Sequence, residues 1–118
     1  MTILNILIAD DETPARNRLR DLISDIANVK VVAEAQNGKE AIEQAELHAP
    51  DLILLDIRMP LMDGIEAAQH LQRMTMPPKL IFTTAYDAYA IKAFELNAID
   101  YLLKPIRQER LETALCKV

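Results

Sequence analysis

The side chains best suited to chemistry in this chain are acids, a lysine and a threonine, and each stands at the end of an apolar run. Asp10 and Asp11 follow Ile3 to Ala9, Asp56 closes Asp51-Leu52-Ile53-Leu54-Leu55-Asp56, Thr84 ends Lys79-Leu80-Ile81-Phe82-Thr83-Thr84, and Lys104-Pro105 follows Ile99 to Leu103. Three carboxylates in one crevice are unfavourable alone, since two unit charges roughly 4 Å apart repel by about 4 kcal/mol at an effective dielectric of about 20. Either one acid keeps its proton at a raised pKa or a cation neutralises the cluster. Oxygen ligands at a wet loop edge suit a hard divalent ion, and one or two carboxylates with several waters is the usual pattern for Mg²⁺. An oxygen nucleophile, a cation site, the fixed charge of Lys104 and the hydroxyl of Thr84 are together the parts that phosphoryl transfer requires.

Those residues can cooperate only if the elements that carry them end side by side. The four apolar residues before Asp56 have the composition of a strand buried on both faces. Pro60, Asp63 and Gly64 then take the chain out of the sheet. From the start, Ile3 to Ala9 reads as a first strand. Thr13 as N-cap with Pro14 at the first helical position begins a helix, in which Leu19, Leu22, Ile23 and Ile26 recur at helical spacing. Val29 to Ala35 is a β-branched second strand with Asn37-Gly38 as the turn out of it. Lys39 to His48 is a helix carrying Ala41, Ile42, Ala45 and Leu47, stopped before Pro50. The Asp51–Asp56 strand is followed by a helix from about Ile65 to Met74, closed by Met76-Pro77-Pro78. Lys79 to Thr84 is the fourth strand. Asp87 to Leu96 is a shorter helix with Ala90, Ile91, Ala93 and Phe94 as its apolar members. Ile99 to Leu103 is the fifth strand, and Gln108 to Lys117 the last helix.

Five strands alternating with five helices predict an α/β domain with a parallel sheet and right-handed crossovers. The alternation alone does not give strand order. A five-strand chain of this length fits the flavodoxin-like (βα)5 order 2-1-3-4-5 better than a longer dinucleotide fold. That order sets the ends of the first and third strands together at the switch point, so Asp10, Asp11 and Asp56 should meet.

Composition narrows the function. A chain of 118 residues, 51% hydrophobic and 26% charged, is expected to form a single domain over 1–118. The net charge of −5 argues against direct nucleic-acid binding by this domain. A lone cysteine, Cys116, allows no internal disulfide and suits a reducing compartment. The opening Met-Thr-Ile-Leu-Asn lacks the features of a signal peptide, and no apolar run approaches the ~18 residues of a membrane span. A cytoplasmic domain is the expectation. With Gly38 and Gly64 as the only glycines, no Gly-rich loop can cradle a nucleoside triphosphate, so the phosphoryl donor should be a protein phosphohistidine or a small phosphodonor.

Taken together, Asp10-Asp11, Asp56 with Met59-Pro60 and Asp63-Gly64, Thr84-Ala85 and Lys104-Pro105, each at a strand end, resemble a response-regulator receiver domain over essentially the whole chain. Thr84-Ala85-Tyr86-Asp87-Ala88-Tyr89-Ala90-Ile91-Lys92-Ala93-Phe94, continuing through Asn97 to Lys104-Pro105, is similar to receivers that precede a LytTR-type DNA-binding domain. The resemblance implies a signalling phosphoacceptor and not a turnover enzyme, one that catalyses its own phosphotransfer and dephosphorylation. Asp56 would accept the phosphoryl group from a sensor histidine kinase. Asp11 would bind Mg²⁺ directly, Asp10 mainly through water, and the backbone carbonyl of Arg58 would complete the protein ligands with Asp56. Lys104 would pair with a phosphoryl oxygen across a bond to Pro105 that is often cis. Thr84 and Tyr101 would be the switch pair, Thr84 moving toward the phosphoryl group and Tyr101 turning inward behind it. The stretch between Thr84 and Lys104 is slightly shorter than in chemotaxis-type receivers, near the start of the fourth helix. The fourth helix, fifth strand and fifth helix, with Ala90, Ile91, Lys92, Ala93, Phe94, Arg107 and Glu109, are expected to form a homodimer face on phosphorylation. An output domain that binds DNA and regulates transcription is expected beyond Val118.

Plainer roles compete for several of these residues. Asp10 and Asp11 could cap the first helix, where acids are favoured, Thr84 could be an ordinary strand-end hydroxyl, and Tyr101 a half-buried strand residue. Asp63 should shape the turn with Gly64. Arg16, Arg18 and Arg20 read as a solvated helix face, His48 and His70 as exposed helix residues away from the acids, and Cys116, Met59, Met62, Met74 and Met76 as packing or loop residues. Among enzymes, haloacid-dehalogenase-type phosphatases use an aspartyl phosphate but need a second acid two residues on, where Arg58 stands. A receiver-like binding module that is never phosphorylated and a flavin carrier complete the alternatives. The latter lacks both a phosphate loop and flanking aromatics.

Overall fold

The computed structural model describes residues 2–118. Strands β1 (Leu4–Ala9), β2 (Val29–Ala35), β3 (Leu52–Asp56), β4 (Lys79–Thr84) and β5 (Asp100–Leu103) alternate with helices α1 (Thr13–Ser24), α2 (Gly38–His48), α3 (Gly64–Leu71), α4 (Ala90–Glu95) and α5 (Gln108–Leu115), and a 3₁₀ turn (Asp87–Tyr89) leads into α4. All four pairings are parallel and the order is β2-β1-β3-β4-β5, as the alternation and length predict.

The apolar runs are explained by helices on both faces of the sheet. Leu7, Ile53, Leu55 and Phe82 pack with Ala41 and Ala45 of α2, Ala67, Ala68 and Leu71 of α3, and Ala93 of α4. Ile6, Ile8, Leu52, Leu54, Ile81 and Leu102 pack with Leu19 and Ile23 of α1 and Leu111 and Ala114 of α5. Leu54 and Leu55 are wholly inaccessible to solvent, and truncating such a residue to alanine costs ~2–5 kcal/mol. That packing makes β3 a stiff mount for Asp56.

Local capping departs from expectation at α1. Thr13 is the first helical residue and Glu12 the N-cap, without a side-chain cap bond. The Thr13 hydroxyl accepts instead from the Arg16 guanidinium at 3.0 Å. The Asn37-Gly38 turn doubles as the entry to α2: the Asn37 side chain accepts from the Glu40 N–H at 2.8 Å, and the Glu40 carboxylate accepts from the Gln36 N–H at 3.1 Å. α2 ends on Ala49 at φ 45°, directly before Pro50. Asp63 has the expected structural role, capping α3 through the Glu66 N–H at 2.8 Å. Gly64 is required by close approach, since a Cβ there would stand 2.2 Å from the Asp56 carbonyl oxygen, and its N–H donates to the Ile57 carbonyl at 2.7 Å.

Leu47 of α2 is exposed, and of the four apolar members of α4 only Ala93 is buried, joined by Leu96 just beyond the helix, while Ala90, Ile91 and Phe94 face solvent. The helix has six residues, less than two turns, so it covers little of the sheet. A 3₁₀ turn over Asp87–Tyr89 precedes it. α3 stops at Leu71 and α5 at Leu115, each short of the expected end.

Candidate functional site

The ends of β1, β3, β4 and β5 deliver the candidate residues to one edge of the sheet. Asp10 follows β1 and is fully buried, Asp56 is the last residue of β3 and 4% exposed, and Thr84 is the last of β4 and fully buried. Asp11 is exposed. One carboxylate oxygen from each of Asp10, Asp11 and Asp56 lies within 4.8 Å of the others, so the three acids meet as the strand order predicts. Lys104, just past β5, reaches back over the sheet: its Nζ is 2.7 Å from Asp10 Oδ2 and 3.5 Å from Asp56 Oδ2. The Lys104-Pro105 bond is cis.

The electrostatics follow from this crowding. Burial, reinforced by the charge of Asp10 and offset in part by Lys104, lifts the Asp56 pKa from about 3.8 to about 6. Burial pulls the Lys104 ammonium toward neutrality, but its hydrogen bond to Asp10 and the charges of Asp56 and Asp10 more than offset this, and its pKa is raised. The lysine therefore stays charged where the acids need it. Asp10 is tied down on its other oxygen, which accepts from the Glu12 N–H at 2.9 Å. Oxygen donors in this number, partly buried and with open approach from Asp11, fit a hard divalent ion.

Arg16 is a correction. It is 8% exposed, not solvated, and its guanidinium donates to the Asp10 carbonyl at 2.7 Å, the Thr13 hydroxyl at 3.0 Å and Glu34 of β2 at 2.9 Å. Arg20 pairs with the other oxygen of Glu34 at 2.7 Å, and Arg18 donates to the Ile106 carbonyl at 2.8 Å. Arg16 thus clamps the backbone from which Asp10 and Asp11 project. The spacing carried a signal: Arg16, Leu19 and Ile23 stand at i, i+3 and i+7, which places the arginine in the apolar stripe.

Above the acids, a shallow cleft of about 520 Å³ is lined by Asp11, Ile57, Arg58, Met59, Pro60, Asp63 and Tyr89. The Arg58 guanidinium lies over the Tyr86 ring, 4.7 Å from its centroid. A larger hollow of about 1040 Å³ opens near Ile3, Pro50, Met76 and Val118, away from the carboxyl ends of the strands, and none of the candidate residues lines it. The Thr84 hydroxyl accepts from the Tyr86 N–H at 3.2 Å, and the half-buried Tyr101 hydroxyl donates to the Tyr86 carbonyl. Both members of the expected switch pair therefore bear on the same loop residue. His48 and His70 are exposed on α2 and α3, as expected. No helix among the described residues is long and apolar enough to cross a membrane.

Known proteins resemble this chain in sequence and fold. Residues 6–116 match the family described as response regulator receiver domain, and the chain belongs to that family. It is 46% identical over 115 residues to the sensory transduction protein LytR of Staphylococcus haemolyticus, covering 98% of this chain and 45% of that one. It is 45% identical over 115 residues to the transcriptional regulatory protein LytR of Staphylococcus aureus, covering 98% and 47%. The signal receiver domain of the response regulator NarL from Mycobacterium tuberculosis superposes with a TM-score of 0.90 at 30% identity, covering 99% of this chain and 98% of that one. The chain spans less than half the length of the two LytR relatives. It is a receiver domain of the two-component response-regulator type, with the expected likeness to LytR-type regulators.

Proposed function

We propose that this domain accepts a phosphoryl group on Asp56 from the phosphohistidine of a partner sensor kinase and passes the change to a DNA-binding output domain that regulates transcription. One observation carries the reading: Asp10, Asp11 and Asp56 converge within 4.8 Å while Lys104 spans Asp10 and Asp56. With a pKa of about 6, Asp56 is mostly ionised at neutral pH and can act as nucleophile. Its oxygen forms a bond to phosphorus as the phosphorus–nitrogen bond of phosphohistidine breaks. The bonding pair stays on the imidazole nitrogen. Asp10, Asp11, Asp56 and the Arg58 carbonyl would hold Mg²⁺, which when bound offsets negative charge on the phosphoryl oxygens. Lys104 follows the charge from the Asp56 carboxylate onto the phosphoryl group.

Once Asp56 carries the group, Thr84 turns from the Tyr86 N–H toward it and Tyr101 gives up its bond to the Tyr86 carbonyl and turns inward. The two positions of the Tyr86 loop are packings a few kcal/mol apart, and the phosphoryl group shifts their populations. The readout face is α4, β5 and α5, where exposed Ile91 and Phe94 lie and where Arg110 forks onto Asp100 at 2.7 and 2.8 Å. We assign this face to homodimerisation, and the protein to the cytoplasm with its kinase partner. The domain performs its own phosphotransfer and hydrolysis and is not a turnover phosphatase, since Arg58 occupies the position of a second acid. Intact-mass measurement after acetyl phosphate and Mg²⁺ treatment tests the reading. One phosphoryl adduct on the natural chain and none on Asp56→Asn is the expected result; an adduct of equal yield on Asp56→Asn would place the acceptor elsewhere.

A further inference from the structure

One charged group beside the acceptor has a place in neither the acid cluster nor the switch pair. Arg58 is expected to offer its backbone carbonyl to the metal, but its guanidinium lies over the Tyr86 ring, 4.7 Å from the centroid. Asp11 and Asp63 line the same cleft as Arg58, yet among the described residues the guanidinium forms no ion pair. The ring is its partner, held through the attraction of a cation for an aromatic face. Tyr86 is 48% exposed and belongs to neither core cluster, so apolar burial does little to fix its loop. Three contacts hold it instead. Its N–H donates to Thr84 Oγ1 at 3.2 Å, its carbonyl accepts from the Tyr101 hydroxyl, and its ring carries Arg58. The first two come from the switch pair itself. The third comes from the loop after β3, two residues beyond Asp56. That loop is the firmer of the two: Ile57 and Met59, on either side of Arg58, are buried in the core, and the Ile57 carbonyl accepts from the Gly64 N–H at 2.7 Å.

We propose, resting on the function above, that Arg58 is a positioning residue that latches the Tyr86 loop in its resting place, and that switching parts the guanidinium from the ring. When Thr84 gives up the Tyr86 N–H and Tyr101 gives up the Tyr86 carbonyl, the backbone that carries the ring is released. Arg58 stays on its core-anchored turn, so the contact belongs to the resting state and not to the switched one. A contact made in one of two states shifts their populations by its full worth. For an exposed guanidinium on an aromatic face that shift is about twofold to fivefold. The latch thus holds the unloaded domain at rest, and any ligand that favours the switched state binds more weakly by the same factor.

The test titrates beryllofluoride, in saturating Mg²⁺, into the natural chain, Arg58→Gln, Tyr86→Leu, the double variant and Tyr86→Phe, followed by two-dimensional NMR. Both side chains are exposed, and the substitutions leave the Arg58 carbonyl in place. Arg58→Gln and Tyr86→Leu should each bind about twofold to fivefold more tightly. The double variant should bind no more tightly than either, since all three remove one contact. Tyr86→Phe keeps a ring face and should bind as the natural chain does. In the unloaded natural chain the ring current of Tyr86 should shift the Arg58 side-chain protons upfield, and beryllofluoride should abolish that shift. Unchanged affinity in both single variants, or gains that multiply in the double variant, overturn the inference and leave the proposed function standing. Weaker binding by Arg58→Gln with either residue at position 86 assigns the guanidinium to the phosphoryl group and overturns it too, as does an upfield shift that persists in the saturated chain. A natural chain that does not bind beryllofluoride overturns both.

Discussion

Replacing Asp56 by asparagine should stabilise this domain at neutral pH, because the native structure holds the carboxylate where its charge is unwelcome. The sign follows from the direction of the pKa change. An acid whose pKa rises on folding, here from about 3.8 to about 6, binds its proton more tightly in the native state. Stability is therefore undiminished below the unfolded value and falls as pH rises through the interval between the two. At ~1.36 kcal/mol per pH unit the full deficit is about 3 kcal/mol above pH 7, about half that at pH 5 and under about 1 kcal/mol at pH 4. Asp56 is 4% exposed, so solvent screening does little to reduce it. Asparagine keeps the shape and removes the charge. Lys104 keeps its bond to Asp10, and the value of about 6 already includes its pull on Asp56. The expected increase is ~1–3 kcal/mol at pH 7.5, or roughly 5–10 °C in Tm for a domain of this size. Urea melts of both proteins at pH 7.5, 5 and 4, in EDTA, measure it. A variant less stable than the natural chain at pH 7.5, or a difference that does not shrink with falling pH, refutes the reasoning. Millimolar Mg²⁺ should raise the Tm of the natural chain more than that of the variant.

Other outcomes follow from the same geometry. Arg16→Met should lower stability by about 2 kcal/mol, because the Asp10 carbonyl and Glu34 lose buried donors; it should also weaken Mg²⁺ binding, measured by calorimetry, through the freed Asp10-Asp11 backbone. Gly64→Ala should cost on the order of 3 kcal/mol or more in denaturant melts, since its Cβ would meet the Asp56 carbonyl at 2.2 Å. Ile91→Ser with Phe94→Ser should leave monomer stability within about 0.5 kcal/mol, both side chains being exposed. The same pair should reduce the association that beryllofluoride and Mg²⁺ induce, read by sedimentation velocity.

Much of the site was legible because strand ends are easy to find. The apolar runs before Asp10, Asp56 and Lys104 set the register, and the length of the chain selected the strand order that joins them. Arg16 was missed because charge was weighed above spacing: its place in the stripe with Leu19 and Ile23 was readable, but a buried arginine is rare enough that the solvated reading took precedence. Helix α4 was legible in kind, but what covers it was not. Ile91 and Phe94 have helical spacing, yet periodicity says which residues share a side and not whether anything covers that side.

The central claim is that distant acids and a lysine gather so that Asp56 alone becomes the phosphoryl acceptor. Borohydride reduction of the acetyl phosphate-treated protein, followed by peptide mass spectrometry, tests it most directly, since the reagent converts an aspartyl phosphate to homoserine and marks the residue. Homoserine at position 56, formed with Mg²⁺ and lost with EDTA, is the predicted result. Homoserine at position 10 or 11, or a yield at 56 indifferent to the divalent ion, would contradict the account.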